Sequence, residues 1–367
     1  MTQRLLAANQ VLISAATDPL ERARHLQDRA ILLARLGKVE QARETLGNAL
    51  REMPRDAPAP VRLRYEYADA IRTYFSKRFD EARAAMLAIA ERARHEASDL
   101  ALVSECESAL ALFMQRECDV RAASRYAHAV LANPQATLEA RYRALLALGS
   151  LHQDAYDYEE ASRLYCEAEE VVRKLDDDIA MASCLQRSAL TQAAHVRQAA
   201  ALGELDARSL AEAVAALNKS IAFARSLADG PDMTLDHLLL AEMKVLQGVP
   251  AEALALYDTY LPSAEGEGFL HEVTGAMSDR GQCCLKLGRV EEGLVQLQTA
   301  LQRVDESTPA DIRAIAHANM AEALDRLGRG AEARQHRLMA GIAWDTYAHE
   351  QREARRLLSG EPTERLH

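Results

Sequence analysis

The chain has 367 residues, of which 44 are basic and 55 acidic, so its formal net charge is −11; 49% of its residues are hydrophobic but only 5% are aromatic. A core of Ala, Leu and Val with so few aromatic residues favours close-packed helices over sandwiches or barrels, whose strands prefer aromatic and β-branched side chains. The acidic balance argues against nucleic acid as the partner, because proteins that neutralise phosphates present a basic face.

The cysteine spacing and the apolar runs predict the compartment. No pair of the six cysteines has C-x-x-C spacing, and the N-terminus lacks the apolar run of a signal peptide. No stretch reaches the roughly 18 uninterrupted apolar residues that span a bilayer. We therefore expect a cytoplasmic protein without membrane insertion.

In chain order, residues 1–22 are predicted to form an N-terminal capping helix, which the end of a helical array needs as a cover. A period of about 40 residues then runs from 23 to 348. It is carried by a phrase that reads LGKVEQA at 36–42, LGRVEEG at 287–293 and LGRGAEA at 327–333. The small residues that end the successive copies are Ala42, Ala82, Ala122, Ala161, Ala213, Ala253, Gly293 and Ala333. Their register predicts about eight pairs of antiparallel helices joined by tight turns.

A second small residue usually lies twelve positions before the first, as Gly281 does before Gly293. Twelve residues span the end of one helix, a turn and the start of the next helix. We therefore predict that the two small residues face each other where the helices of a pair pack closest. Pro54 and Pro134 each follow the turn by twelve residues and are predicted to stop the second helix of their pair.

Two segments depart from the period. The interval from Ala161 to Ala213 is 52 residues, or 40 plus an insertion of 12, which falls near 195–207. The insertion is interpreted either as a longer helix pair or surface loop, or as a hinge or ligand-facing loop. Residues 349–367 are predicted to extend the last helix to Leu358 and to end in a tail that begins with Ser359-Gly360-Glu361-Pro362.

The small residues, the turn phrase and the terminal prolines recur in register, and together they resemble tetratricopeptide repeat (TPR) proteins from about Ala23 to Ala348. The resemblance implies an all-α fold, a right-handed α-solenoid, or superhelix, of antiparallel helix pairs. The chain departs from the family in its period, which is usually about 34 residues, and in lacking the repeat's usual tryptophan. Long repeats of this kind are similar to those of bacterial sensor and regulator proteins.

A search for catalytic and metal-binding patterns finds no positive signal in the sequence. It contains no G-x-x-x-x-G-K-[ST] phosphate loop, no G-x-S-x-G elbow and no H-E-x-x-H zinc helix. The eleven histidines lack metal-ligand spacing. We therefore predict a protein that is not an enzyme and that has no catalytic residues, no metal site and no cofactor.

A binding groove is the remaining candidate site. The resemblance implies that the first helix of each pair lines the concave wall of the array. Projection of the repeat pattern onto this wall predicts the groove residues Tyr67, Ile71, Tyr74, Gln153, Gln186, Arg187, Glu242, Asp279, Gln282, Asn319 and Glu322. The wall is aromatic near its start and acidic near its end, which favours a basic or amphipathic protein or peptide as the partner. The Lys and Arg set with which some TPR proteins clamp a C-terminal carboxylate is not matched, because the candidate positions carry Asp28, Ala68 and Ser108.

Three functional hypotheses follow from the sequence. The first is a non-enzymatic module that binds a partner segment in the groove, as a regulatory or sensor region in bacterial signalling. The second is a self-associating scaffold, in which end helices form a homodimer. The third is the N-terminal sensor region of a larger protein, such as a diguanylate cyclase with a GGDEF output domain, because the extended last helix resembles the linker to such domains.

Overall fold

A computed structural model describes residues 2–227, 232–267 and 269–359. Every regular element in these ranges is a helix, which agrees with the predicted all-α, TPR-like solenoid class. The first helix, α1 (Thr2–Ala15), precedes eight helix pairs. The first four pairs are α2 (Pro19–Arg35) with α3 (Val39–Glu52), α4 (Ala59–Phe75) with α5 (Phe79–Arg92), α6 (Leu100–Arg116) with α7 (Val120–Ala132), and α8 (Leu138–Asp154) with α9 (Tyr158–Leu175). The last four are α10 (Asp178–Leu202) with α11 (Ala207–Arg225), α12 (Thr234–Leu246) with α13 (Pro250–Glu267), α14 (Leu270–Lys286) with α15 (Val290–Arg303), and α16 (Ala310–Arg326) with α17 (Gly330–Ser359).

The chain divides into two compact units. Unit 1 comprises Met1–Leu151 with Arg163–Met181, and unit 2 comprises His152–Ser162 with Ala182–His367. Among the described residues, no helix combines the length and the apolar character needed to cross a membrane.

The turn inside each pair is the same structure eight times. In the first pair, the amide of Gly37 donates to the carbonyl of Ala34 (2.9 Å) and the amide of Lys38 donates to that of Leu33 (2.9 Å), which is the Schellman pattern at a helix C-terminus. This pattern needs a left-handed residue at its centre, and glycine adopts that conformation most readily. The central residues are Gly37, Lys77, Cys118, Tyr156, Gly203, Gly248, Gly288 and Gly328.

The predicted close approach within a pair is confirmed at Gly281 and Gly293. A Cβ atom built on Gly293 would lie 2.8 Å from the carbonyl oxygen of Gly281, and one built on Gly281 would lie 3.0 Å from the carbonyl oxygen of Gly293. The predicted helix stops are also confirmed, because α3 ends at Glu52 and α7 at Ala132, two residues before Pro54 and Pro134.

The predicted register is wrong by one residue in the third pair. Helix α7 buries Ala123, Ala127 and Val130, whereas Ala122 is only half-buried. Its turn centre, Cys118, follows the preceding one at Lys77 by 41 residues rather than 40. The helix therefore starts one residue later, and the buried face moves with it.

The extra length near 195–207 is helical. Helix α10 has 25 residues, whereas α2, α4, α6, α8, α14 and α16 each have 17. Residues 195–207 form the last two turns of α10, the turn at Gly203 and the first residue of α11. Most of the extra length is thus helical, as in the longer helix pair, and residues 203–206 form the short connection to α11.

The two ends of the array are also helical. Helix α1 packs on α2, where Nδ2 of Asn9 donates to the carbonyl of His25 (3.1 Å) and Nη1 of Arg29 donates to that of Leu6 (3.0 Å). At the other end, α17 has 30 residues and reaches Ser359. The predicted break at Gly360-Glu361-Pro362 lies outside the described residues.

Candidate functional site

Unit 2 contains a cavity of about 500 Å³. Its wall is formed by α10, α12, α14 and α16, the first helices of four successive pairs, together with residues 153–158 and Tyr257 of α13. Leu190, Leu235, Leu238, Leu239, Ile312 and Ile315 supply much of its apolar surface. Its charged lining residues are Asp154, Arg197, Glu242, Glu272, Asp279 and Asp311. Five carboxylates thus share the cavity wall with one guanidinium group.

Arg197 bridges two of these carboxylates. Its Nη2 lies 2.8 Å from Oδ2 of Asp311, and its Nε lies 3.8 Å from Oε1 of Glu242. Burial lowers the pKa of Arg197, but the neighbouring carboxylates of Glu242 and Asp311 outweigh burial and raise it overall. The guanidinium group is therefore a fixed positive charge in this wall.

Glu242 is nearly buried, with 13% of its side chain exposed. Burial raises its pKa to about 7, and the attraction of Arg197 only partly offsets this effect. The 3.8 Å separation from Arg197 exceeds hydrogen-bond length. No hydrogen bond therefore joins the two side chains, and the Glu242 carboxylate faces the cavity.

Asp279 is the second carboxylate of the acidic centre, by which we mean Glu242, Asp279 and Asp311 around Arg197. It accepts a hydrogen bond from Nδ2 of Asn319 at 3.0 Å. Burial raises its pKa to about 6, against the stabilising effects of Asn319 and Arg197. The hydroxyl group of Tyr257 is buried beside Asp279, and its interaction with that carboxylate also stabilises the anion. The wall thus contains two carboxylates that burial disfavours as anions.

The predicted groove residues in unit 2 differ in their position relative to the cavity. Gln153, Glu242 and Asp279 line the cavity. Asn319 and Gln282 form a layer behind Asp279, with Nε2 of Gln282 donating to the carbonyl of Asn319 at 2.6 Å.

The remaining three predicted residues of unit 2 do not line the cavity. Nε2 of Gln186 donates to Oδ2 of Asp236 (2.7 Å), and the half-buried Arg187 lies next to it on α10. Glu322 is exposed and pairs with Arg326 one helical turn away, at 2.6 Å. Repeat position alone therefore does not determine which residues line the cavity. Glu242, Gln282 and Glu322 occupy the same position at intervals of 40 residues, and only Glu242 lines it.

The predicted groove residues in unit 1 are buried or half-buried in contacts with other side chains. Tyr67 and Ile71 are buried, and the hydroxyl of Tyr67 accepts from Nη1 of Arg143 at 3.0 Å. Tyr74 is half-buried and stacks on Phe113, with ring centroids 4.5 Å apart. Tyr67 and Ile71, which were predicted to lie on the groove wall, are thus buried in the packing between helices.

Four lining residues were not predicted from the sequence: Arg197, Asp311, Tyr156 and Tyr158. Arg197 lies in the part of α10 that exceeds the 17-residue length, so the insertion itself was the signal for this residue. Tyr156 and Tyr158 occupy the turn phrase, where an aromatic residue at the left-handed position was the available signal. Among the residues that the structure describes, no three His, Cys, Asp or Glu side chains are grouped to hold a metal ion.

Comparison with known proteins gives structural likeness without sequence matches. No protein-family model matches the sequence, and no curated protein matches it. The chain is similar to the apo form of RapI, with a TM-score of 0.54 and 11% identity over 82% of this chain and 99% of that one. It is also similar to PH0952 of Pyrococcus horikoshii, a STAND protein with a tetratricopeptide repeat sensor, with a TM-score of 0.51 and 13% identity over 96% of this chain and 53% of that one. A Rap protein complexed with Competence and Sporulation Factor matches with a TM-score of 0.49, at 16% identity over 92% of this chain and 87% of that one.

The likenesses to RapI and PH0952 concern the fold, and they agree with the all-helical solenoid class of this chain. The chain therefore has the fold of a tetratricopeptide repeat protein.

Proposed function

We propose that the chain is a non-enzymatic TPR module that binds a peptide or protein segment in the cavity of unit 2, with a basic side chain of the segment entering the acidic centre. We also propose that it serves as a regulatory or sensor region in bacterial signalling. The observation that carries the binding proposal is the cluster of Glu242, Asp279 and Asp311 around the single cation Arg197. Neither nucleic acid nor a cofactor enters the proposal.

The chemistry of the cavity favours a cation with several N–H donors. Glu242 lies 3.8 Å from Arg197, beyond hydrogen-bond length, and burial penalises its charged form, so an incoming ammonium group would supply it with a donor and a compensating charge. The apolar wall suits the aliphatic stem of such a side chain. The volume of about 500 Å³ lies within the range of small-ligand pockets.

The signalling part of the proposal is supported by fold likeness. PH0952 is named for its tetratricopeptide repeat sensor, and its match covers 96% of this chain. A repeat array with a ligand cavity in its wall suits such a role, because helix pairs that contact mainly their neighbours rearrange at low cost.

A matched pair of peptide libraries tests the binding proposal. One library of octapeptide amides carries a lysine at a fixed position among randomised neutral residues, and the other carries norleucine there. We expect the protein to retain lysine peptides in preference to norleucine peptides. Glu242→Gln should weaken the retained peptides at least about tenfold, because truncating one partner of a desolvated charge pair costs roughly 2 kcal/mol or more.

Glu322→Gln is the matched control, because Glu322 occupies the same repeat position as Glu242 but is exposed outside the cavity. Equal retention of both libraries, or equal weakening by the two variants, would contradict the proposal. Cadaverine carries ammonium groups on an aliphatic chain without a peptide. Its affinity therefore distinguishes a free amine from a protein segment as the ligand. Binding of cadaverine as tight as that of the peptides would identify a free amine rather than a protein segment as the ligand.

Self-association is a second candidate, and one observation favours it. Leu338, Met339 and Ile342 of α17 are 64%, 44% and 53% exposed, so they form an apolar patch on the last helix. A homodimer through this end helix would bury them. Light scattering over a dilution series should show a mass that falls on dilution and that Ile342→Glu reduces to the monomer, whereas a monomer at all concentrations contradicts this candidate.

A further inference from the structure

Two contacts in unit 2 join elements that are far apart in the array. In repeat proteins, each helix pair ordinarily contacts only its neighbours. Arg197 of α10 nevertheless pairs with Asp311 of α16, three helix pairs further on. Nη2 of Arg355 in α17 donates to the carbonyl oxygen of Tyr156 at 2.9 Å, across 199 sequence positions. Both contacts involve residues that line the cavity, namely Arg197, Asp311 and Tyr156.

The same tyrosines that line the cavity hold helix α17. The ring of Tyr347 lies against that of Tyr156, with centroids 4.3 Å apart, and the hydroxyl groups of Tyr347 and Tyr158 interact. Tyr347 is 5% exposed and does not line the cavity. Tyr156 and Tyr158 therefore have α17 on one side and the cavity on the other.

The backbone of Tyr156 takes the left-handed conformation that the turn of every pair requires and that Lys77 and Cys118 also adopt. It adopts φ +57°, a conformation that glycine supplies in five of the eight turns and that costs other residues roughly 1–2 kcal/mol. Its carbonyl group in this conformation accepts the hydrogen bond from Arg355.

We propose that occupancy of the cavity and docking of α17 onto Tyr156 and Tyr158 stabilise each other, so that α17 is the element through which ligand binding is read out. The cavity wall exists in the docked state, because the tyrosines take their positions against Tyr347 and Arg355. A ligand that needs this wall binds the docked state better, and by linkage it must stabilise docking by the same factor. The inference rests on the proposed function for the identity of the natural ligand. The contacts between α17 and the cavity wall do not depend on that function.

The cavity can be filled from within, without any ligand. Gly275 of α14 lines it, and a Cβ atom built there would meet only Cγ2 of Ile312, at 3.9 Å. Asp279 lies one turn further along the same helix, so Gly275→Lys places an ammonium group near the acidic centre and Gly275→Met places an apolar side chain of similar length. Gly275→Ala is the control, because it shares the gain in helix propensity but leaves the cavity open.

Docking is measured by amide exchange of residues 344–358 and by the emission of Trp344, the only tryptophan of the chain, whose ring lies 5.3 Å from that of Tyr347. We expect Gly275→Lys and Gly275→Met to slow this exchange about fivefold or more relative to Gly275→Ala, the lower end of typical couplings between sites. Equal exchange in the three variants, each folded by circular dichroism, would overturn the proposal.

The reciprocal experiment removes docking and measures binding. Arg355→Ala deletes the bond to Tyr156, and Arg352→Ala removes another exposed arginine of the same helix as the control. We expect Arg355→Ala to weaken lysine peptides about fivefold and Arg352→Ala to leave them unchanged. Faster exchange of α17 in Arg355→Ala at unchanged peptide affinity would refute the coupling. If lysine peptides do not bind the wild-type chain, the proposed function fails, whereas the Gly275 variants still decide the coupling.

Discussion

Tyr67 illustrates how burial decides the role of a single residue. Its phenol is fully buried in unit 1, and Arg143, whose side chain is only 10% exposed, donates to its hydroxyl group. Removal of one partner from a buried hydrogen bond leaves the other unsatisfied, which costs more than the bond itself contributes. The residue therefore belongs to the stability of unit 1 rather than to ligand binding.

We expect Tyr67→Phe to lower the free energy of unfolding by about 1–3 kcal/mol, because the buried guanidinium group of Arg143 loses an acceptor. Urea unfolding followed by circular dichroism measures the change. Tyr65→Phe on the same helix is the control, since Tyr65 is only half-buried. Similar losses in both variants would mean that the Arg143 bond is not the cause.

Glu242 gives a pH-dependent prediction at the same scale. Its pKa in the folded protein is raised to about 7 by burial, above the ordinary value of 4.5. Between pH 4.5 and 7 the folded state thus holds a proton on Glu242 that the unfolded state loses. The stabilisation of the folded state by this proton is complete below pH 4.5 and disappears as the pH rises through 7.

The free energy of unfolding should therefore fall by up to about 1.4 kcal/mol per pH unit between pH 4.5 and 7 on account of this group. Glu242→Gln should remove most of this decline, whereas Glu291→Gln, at an exposed position, should keep it. Urea titrations at several pH values provide the measurement. Parallel curves for wild type and Glu242→Gln would show that this carboxyl group does not hold the proton.

The close contact between paired helices is the main feature at the scale of elements. Gly281 and Gly293 allow the backbones of α14 and α15 to approach so closely that an added Cβ would lie 2.8 Å from a carbonyl oxygen. In the first pair, Ala30 and Ala42 take the corresponding positions and are both fully buried. The size of these two residues thus sets how closely each pair packs.

We expect Gly293→Ala to destabilise unit 2 by about 1–2 kcal/mol, because overpacking against backbone costs more than the helix propensity that alanine adds. Gly275→Ala on α14, whose added Cβ would make only an ordinary contact with Ile312 at 3.9 Å, should instead stabilise it by about 0.5–1 kcal/mol. Thermal unfolding followed by Trp344 fluorescence compares the two variants. Stabilisation by Gly293→Ala would show that the helices move apart without cost.

At the scale of the whole molecule, contacts within a repeat array are mostly local, so a perturbation is expected to act near its own position. The single tryptophan lies in unit 2, whereas circular dichroism reports helices of both units. The two signals therefore separate the stability of unit 2 from that of the chain as a whole.

We expect Gly293→Ala to lower the midpoint of the Trp344 transition, and Tyr67→Phe to leave it unchanged while broadening the circular dichroism transition. The reason is that Tyr67 and its partner Arg143 both lie in unit 1. Equal shifts of both signals in both variants would demonstrate one cooperative transition for the entire chain.

The sequence by itself determined the helical class, the eight pairs, the close contact at Gly281 and Gly293 and the ends of α3 and α7. These features depend on local periodicity, on glycine in left-handed turns and on proline at helix ends, which a single sequence records directly. Its one register error, at Ala122, arose because the connection between α5 and α6 is one residue longer than the connection between α3 and α4.

Only the tertiary structure decided which side chains share the cavity. Arg197 and Asp311 are 114 positions apart, and Arg355 and Tyr156 are 199 apart, so no local pattern links them. Burial likewise depends on packing, which is why Tyr67 lies in a core. Glu242 contributes to the acidic centre of the cavity, whereas the equivalent repeat positions 282 and 322 do not line it. Long-range packing, rather than periodicity, created the site.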